Sequence, residues 1–322
     1  MEKEKTTMSE SLADIRSRIE ALGIEFEFIK TIKTSMNGVE RETWLLEYEG
    51  TQFVFVAGQK HVVLGWDVNQ CPLGEGVLEG LKKEFTEGHK HYLGRIEGLQ
   101  EYYQKEIEKA NTDEKKADEL RLKLAEDLES EKEEMEAYIS WENYMLKWNE
   151  HLSQCLSPLR TVDIGDMIVE VDSRYLEEDA SSLEQAVCSL KESPFTLATE
   201  DEWEYLCNGG TRTLFRWGDT LSDVIEEIYG VGTVSKENNI ESGILEQPNM
   251  LGLFIAYDSY KNEIIDNTQY IKGGDGGCSI CGGDGGIYVF PCYTAFYRDS
   301  VYEYAYRLSK NYYCYRRIIR LP

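Results

Sequence analysis

Residues 193–219 read SPFTLATEDEWEYLCNGGTRTLFRWGD, and this stretch decides how the rest of the chain is read. Thr199 offers a side-chain oxygen at the start of a helix, and Glu202 follows three residues later, so the two can satisfy each other's backbone N–H groups in a capping box. Glu200 and Asp201 favour the positive end of the helix dipole. Trp203, Leu206 and Cys207 supply an apolar stripe, Gly209 and Gly210 stop the helix, and Trp217-Gly218 marks a tight turn. A short, strongly specified helix is therefore expected in the middle of a turn-rich region.

Upstream, Leu12, Ile15, Ile19 and Leu22 fall at helical spacing, with Gly23 as the stop. The runs IEFEFIKTIK, ETWLLEYEG and TQFVFVAG favour strands, and the separators SMNG and EGTQ carry turn residues, so a short antiparallel meander is expected. From about residue 77 to 153 the period changes. Tyr92, Ile96, Leu99, Tyr103 and Ile107, then Leu124, Leu128, Met135, Tyr138, Met145 and Leu152, make two facing helical stripes. The turn ANTDEKK joins them, with Asn111 and Glu114 placed to cap the second helix. Gly76, Gly80, Gly88, Gly94 and Gly98 weaken the first half, which is expected to be broken or closely packed. The expected organisation is a disordered start over 1–7, a helix and antiparallel strands over 8–75, an inserted helical hairpin over 76–155, and a second part of the core over 156–322.

The chain has 60 acidic and 34 basic residues, a formal charge of −26. Binding to phosphate backbones rests on Lys and Arg, so a nucleic-acid partner is not expected. Residues 101–150 alone hold 16 acidic and 8 basic side chains, which makes the hairpin a solvated face and a candidate for oligomerisation. No apolar run approaches the roughly 18 residues of a spanning helix, and the opening residues lack a secretory pattern, so a cytoplasmic protein without a membrane partner is expected. Eight cysteines are too sparse for a disulfide scaffold, and Cys155, Cys188 and Cys207 are expected as buried small apolar residues. With four histidines in all, and His89 and His91 two residues apart on different helix faces, a multi-histidine metal site is not expected.

The 193–219 stretch resembles the signature of the formylglycine-generating enzyme and sulfatase-modifying-factor family, through Thr199, Glu200, Glu202, Trp203, Glu204, Tyr205, Gly209, Gly210, Trp217 and Gly218. QPNMLGLF, with Asn249 and Gly252, is similar to a later family motif, and YRRIIR, with Arg317, to the closing one. TQFVFVAGQKHVVLGW resembles the opening strand pair. The likeness covers about residues 51–71 and 159–322, and it implies an α+β, C-type-lectin-like core with the helical hairpin inserted. Thr196 and Ala198 depart from the family's Arg and Pro, and IAYDSYKNEIID replaces the stretch that helps form its calcium ligands. Calcium binding in the family's manner is not expected, with Asn262 the one remnant.

Residues 272–292, KGGDGGCSICGGDGGIYVFPC, repeat GGDGG after nine residues. The family's chemistry, as the resemblance implies it, uses two cysteines five positions apart after Gly-Gly to bind copper(I) and oxidise a substrate cysteine. Cys278 and Cys292 fit those two positions if one nine-residue unit is inserted between them, which leaves Cys281 as the bystander. Cys278 and Cys281 form a single C-x-x-C, too few ligands for a zinc knuckle, and the calcium nonapeptide pattern fails at its sixth position. A Gly-rich turn with incidental thiols is the plainest reading.

Nine of the 21 tyrosines lie between Tyr288 and Tyr315, interleaved with arginines. Tyrosine gives large amphipathic contact area at low entropic cost. A recognition surface is therefore expected from Tyr288, Tyr293, Tyr297, Arg298, Tyr302, Tyr304, Tyr306, Arg307, Tyr312 and Tyr313. It is similar in position and composition to the diversified segment of variable proteins of diversity-generating retroelements, which use the same fold. The expectation is a noncatalytic binding protein with no cofactor, facing a protein partner or small ligand. Its alternative is a copper-dependent oxidase acting through Cys278 and Cys292.

Overall fold

The computed structural model describes residues 12–110, 112–221, 224–228, 243–282, 285–300 and 307–322. Helix α1 (Leu12–Glu20) precedes strands β1 (Glu27–Met36), β2 (Val39–Tyr48), β3 (Thr51–Val56) and β4 (Gln59–Leu64). Three helices follow: α2 (Glu75–Ala110), α3 (Glu114–Glu134) and α4 (Trp141–Cys155). The remainder comprises β5 (Arg160–Ile164), β6 (Met167–Glu170), β7 (Arg174–Tyr175), α5 (Leu183–Ala186), α6 (Glu200–Asn208), α7 (Ile225–Ile228), β8 (Asn262–Ile264) and β9 (Tyr270–Lys272). It closes with α8 (Cys278–Gly282), α9 (Gly286–Val289), β10 (Asp299–Ser300), β11 (Tyr313–Tyr315) and β12 (Ile318–Arg320). The fold mixes α and β, with largely antiparallel sheets and one long helix.

The meander forms through β1, β2 and β3, joined at Asn37-Gly38 and Glu49-Gly50, all four residues in the left-handed region that two-residue hairpin turns of type I′ require. The fourth run leaves it. After Ala57, β4 pairs instead with β5, and β3 takes β6 as its next neighbour, followed by β12 from the end of the chain. The sheet order is thus β1-β2-β3-β6-β12. Toward the ends of β2 and β3 and along β6 both faces of this sheet are buried, while β1 is largely exposed. Trp44, Leu46, Phe53 and Phe55 pack with Ile15 and Ile19 of α1, while Leu45, Val54, Val56 and Val169 face the main core. That double burial is why LL and FVFV read as continuous apolar runs rather than alternating ones.

The helical arm differs from the sequence expectation in its cap and in its return stripe, and of the two alternatives for its first half it takes the closely packed one at Gly88. Helix α2 runs unbroken for 36 residues through all five glycines. Gly88 lies under the Tyr138 ring, where a Cβ would come within 2.2 Å of a ring carbon. The cap of α3 is Asp113, whose side chain accepts from Lys116 N, and Asn111 lies outside the described residues. The return stripe is two helices, because Ser140 accepts from Asn143 N and so starts α4 afresh. Between them Tyr138 turns inward: its hydroxyl donates to Glu84 at 2.6 Å and its carbonyl meets His89 Nδ1 at 2.7 Å. His89 is thereby a structural residue. Val77, Leu81, Tyr144, Trp148 and Leu152 at the base of the arm belong to the main core, with Trp203 and Phe296.

A second sheet, order β10-β9-β8-β11-β7, has one parallel pair, β8 with β11. Among the described residues no helix is long and apolar enough to cross a membrane.

Candidate functional site

Helix α6 organises the region beneath the glycine-rich loop. Its capping box forms, with Thr199 Oγ1 accepting from Glu202 N at 3.2 Å and Glu202 Oε2 accepting from Thr199 N at 2.7 Å. Glu200 and Glu204, one turn apart, then point at three cations from distant parts of the chain. Lys272 Nζ lies 2.9 Å from Glu204 and 3.4 Å from Glu200, and both Lys272 and Glu204 are 0% exposed. Arg160 reaches Glu204 at 3.1 Å and Asp201 at 2.6 Å, and Arg298 grips Glu200 with two nitrogens. Burial alone would raise the Glu200 pKa, but the Arg298 hydrogen bond with the charges of Lys272 and Arg160 hold it at about 2. Lys272 also sits 5.4 Å from the Trp203 ring centre. The lysine that opens the glycine-rich stretch is therefore an anchor inside the core.

From that anchor the two GGDGG copies dock on different partners. In the first, Asp275 N and Gly277 N both donate to the Ser259 carbonyl, at 3.1 and 3.2 Å. A Cβ on Gly274 would collide with that same carbonyl at 2.4 Å, so only glycine allows the approach. Asp275 then accepts from Gly277 N and from Ser279 N and Oγ, which starts α8. In the second copy, Gly286 N donates to Glu84 of the arm at 3.1 Å, and Gly285 packs under the Tyr138 hydroxyl. The repeat joins the core loop to the base of the arm.

All eight cysteines lie among the described residues and all are thiols. Cys278 and Cys281 are exposed on α8, whereas Cys292 is 1% exposed and donates to the Tyr288 carbonyl at 3.4 Å. Burial, reinforced by nearby Asp275, pushes the Cys292 thiol well above its ordinary value. Copper(I) takes thiolates. One exposed sulfur and one buried, proton-holding sulfur do not fit a bis-thiolate site as arranged. Among the described residues no group of three or more His, Cys, Asp or Glu is placed to hold a metal ion. Of the three cysteines expected to be buried, Cys207 is fully so, Cys155 is half-buried, and Cys188 is exposed in a surface 3-10 turn.

The expected tyrosine surface divides. Tyr293, Tyr297 and Tyr313 are 4%, 7% and 9% exposed and serve the core, which corrects their expected surface role. Tyr293 follows Pro291 in a tight turn that aims its ring at Trp217, Tyr297 lies on the strand bridge to Leu156, and Tyr313 sits in β11, an inner strand. Arg298 is committed to Glu200, and Arg307 pairs with Asp179 at 2.9 Å. Tyr288 is exposed and meets His151 edge-on. Tyr302, Tyr304 and Tyr306 lie outside the described residues. Tyr312 is 43% exposed, and there it has unexpected company.

The Tyr312 carbonyl accepts from Asn262 N at 2.8 Å, which brings it beside the 257–261 loop and its exposed Tyr260. Tyr175, also exposed, pairs with Cys314 across β7 and β11. Lys261 links these parts: its ammonium lies 5.4 Å from the Tyr175 ring centre and 4.6 Å from that of Tyr257, and pairs with Asp172 at 3.2 Å. Tyr260 OH and Cys281 Sγ are 3.2 Å apart. Three exposed tyrosines, a cation and α8 thus share one face. Sequence reading missed Tyr175, Tyr260 and Lys261. The available signal was the turn-forming Asp258-Ser259 before an aromatic, inside the stretch that departs from the family pattern.

The remaining motif residues are structural. Asn249, 0% exposed, donates to the carbonyls of Leu206 and Cys207 and accepts from Leu251 N and Leu253 N. Gly252 supplies a positive φ in that turn. Trp217 Nε1 donates to Thr220 O, and Gly218 N to Phe215 O. Arg317 pairs with Glu170 at 2.9 Å beneath Phe53 and Phe195. In comparisons with known proteins, no family model, no curated protein and no solved structure matches this chain.

Proposed function

We propose that this chain is a noncatalytic recognition protein that holds a protein partner against the face of Tyr175, Tyr260, Lys261 and Tyr312. The convergence of three exposed tyrosines from separate elements carries the reading. Tyrosine is enriched at binding hot spots because it buries a large surface and offers a hydroxyl at little entropic cost. The scaffold is read as C-type-lectin-like. In support, the last strand lies in the same sheet as the first strands, a small second sheet follows, and the signature residues form the core around α6. Within residues about 287–315 the exposed Tyr288 and Tyr312 are the described tyrosines open to diversification by a retroelement, and a comparison of related genomic loci tests it.

The direct test places a photo-crosslinking phenylalanine analogue at Tyr312, Tyr260 or Leu122 in the full chain and maps adducts from host lysate by mass spectrometry. One shared adduct at 312 and 260, absent at Leu122 on the arm and lost on Tyr175→Ala, is expected. Equal capture at all three sites overturns the reading. Copper(I) titration is the opposing test: tight binding abolished by either Cys278→Ser or Cys292→Ser would replace recognition with oxidase chemistry.

A further inference from the structure

Cys278 and Cys281 stand beside the proposed recognition face in a specific placement. They stand three residues apart on α8, so they project side by side from one helical face, with Cβ atoms about 5–6 Å apart. A disulfide brings Cβ atoms to about 3.5–4.5 Å, so bonding this pair requires them to close by roughly 1–2 Å. Gly277 is tied to the Ser259 carbonyl and to Asp275, so the adjustment falls to the side-chain torsions and to the C-terminal end of α8 at Gly282. Both sulfurs are exposed, while Cys207, Cys292 and Cys314 are at most 1% exposed. Only an exposed thiol can meet a soluble disulfide. The second observation is Tyr260, whose hydroxyl lies 3.2 Å from Cys281 Sγ and, because of that contact, is held above its ordinary pKa.

We propose that Cys278 and Cys281 form a reversible disulfide that releases Tyr260 from Cys281 and so changes the tyrosine face. The oxidant is a small-molecule disulfide of the glutathione class. One protein thiolate attacks a sulfur of that disulfide, breaking its S–S bond and expelling one thiolate. The second protein thiolate attacks the protein sulfur of the mixed disulfide and expels the other. Two protein thiols are oxidised to one disulfide, one small disulfide is reduced to two thiols, and the two protons pass to the expelled thiolates. Reduction runs the same steps backwards. Once both sulfurs are bonded, Cys281 can no longer become an anion facing the phenol, and the Tyr260 hydroxyl loses its thiol contact while its ring keeps Gly277 beneath it. Bond formation depends on the pair alone, whereas its effect on partner capture rests on the recognition reading.

The test equilibrates the full chain in glutathione buffers from fully reduced to fully oxidised, traps thiols with N-ethylmaleimide and maps the peptides by mass spectrometry. Residues 278 and 281 are expected to lose alkylation together at one ratio. Cys278→Ser and Cys281→Ser are each expected to leave the other sulfur carrying glutathione. Alkylation of both thiols at every ratio, separate glutathione adducts on both in the parent, or a bond from either to Cys292 overturns the proposal. Ultraviolet titration of parent minus Tyr260→Phe reads the coupling: oxidation is expected to lower the pH at which Tyr260 ionises, and an identical curve in both redox states overturns the release. Capture at Tyr312 that falls or rises with the mapped disulfide, and stays constant in Cys281→Ser, supports the change of face. A mapped disulfide with unchanged capture refutes that change alone, and absence of capture in either state refutes the recognition reading instead.

Discussion

Replacing Lys272 by Met keeps the aliphatic stem in its apolar slot and removes only the ammonium. Glu204, 0% exposed, then loses its 2.9 Å partner and retains Arg160 at 3.1 Å and the Gly65 N–H at 3.2 Å. Removing one member of a buried ion pair costs about 3–5 kcal/mol because the other charge stays desolvated. The remaining Arg160 contact places this case at the low end, about 3 kcal/mol. In urea, that loss lowers the unfolding midpoint by about 1 M for an m-value near 3 kcal/mol/M. Lys272→Met/Glu204→Leu removes both charges and is expected to regain about 1 kcal/mol or more, since Arg160 keeps Asp201 and is partly solvated. A single variant that shifts stability by less than about 1 kcal/mol, or a double variant no more stable than the single one, would refute a desolvated Glu204 held by Lys272.

Acid should expose the same network. The Glu200 carboxyl falls from its usual 4.5 to about 2 in the folded state, so its contribution is complete above pH 4.5 and is lost as pH falls toward 2. Urea midpoints measured across that range should drop more steeply for the parent than for Glu200→Gln, and parallel curves would contradict the assignment. Asn249→Ala removes four buried hydrogen bonds, two that tie the 249–253 turn to α6 and two that close the turn itself, and is expected to cost about 3 kcal/mol or more by calorimetry. A change under about 1 kcal/mol would mean that the turn relaxes without it.

The legible parts of the fold were those set by neighbours in sequence. Thr199 and Glu202 are three residues apart, so their reciprocal hydrogen bonds need only the first turn of α6 to form. Asn37-Gly38 carries its hairpin geometry in its own φ preferences, whereas at Glu49-Gly50 only the glycine does and the paired strands hold Glu49 at positive φ. The arm was readable as helix, yet its interruption at residues 135–140 was not, because Tyr138 turns inward toward Glu84 and His89, which lie about fifty residues away. The tyrosines at the C-terminal end show the same limit. Composition marks them as a group, while burial separates Tyr293, Tyr297 and Tyr313 from Tyr312 and Tyr288.

The glycine-rich stretch marks the division most clearly. By itself the sequence determined that residues 272–292 hold two copies of one turn-forming unit with thiols between them, since glycine and aspartate act on their own backbone. Only the tertiary structure decided what each copy does. The first binds the Ser259 carbonyl and turns Cys278 and Cys281 outward beside Tyr260, and the second binds Glu84 of the arm. Ser259 and Tyr260 belong to the preceding loop, and Glu84 lies 202 residues before Gly286. Their choice depends on which backbones can approach closely and which charges can be buried together, and packing settles both.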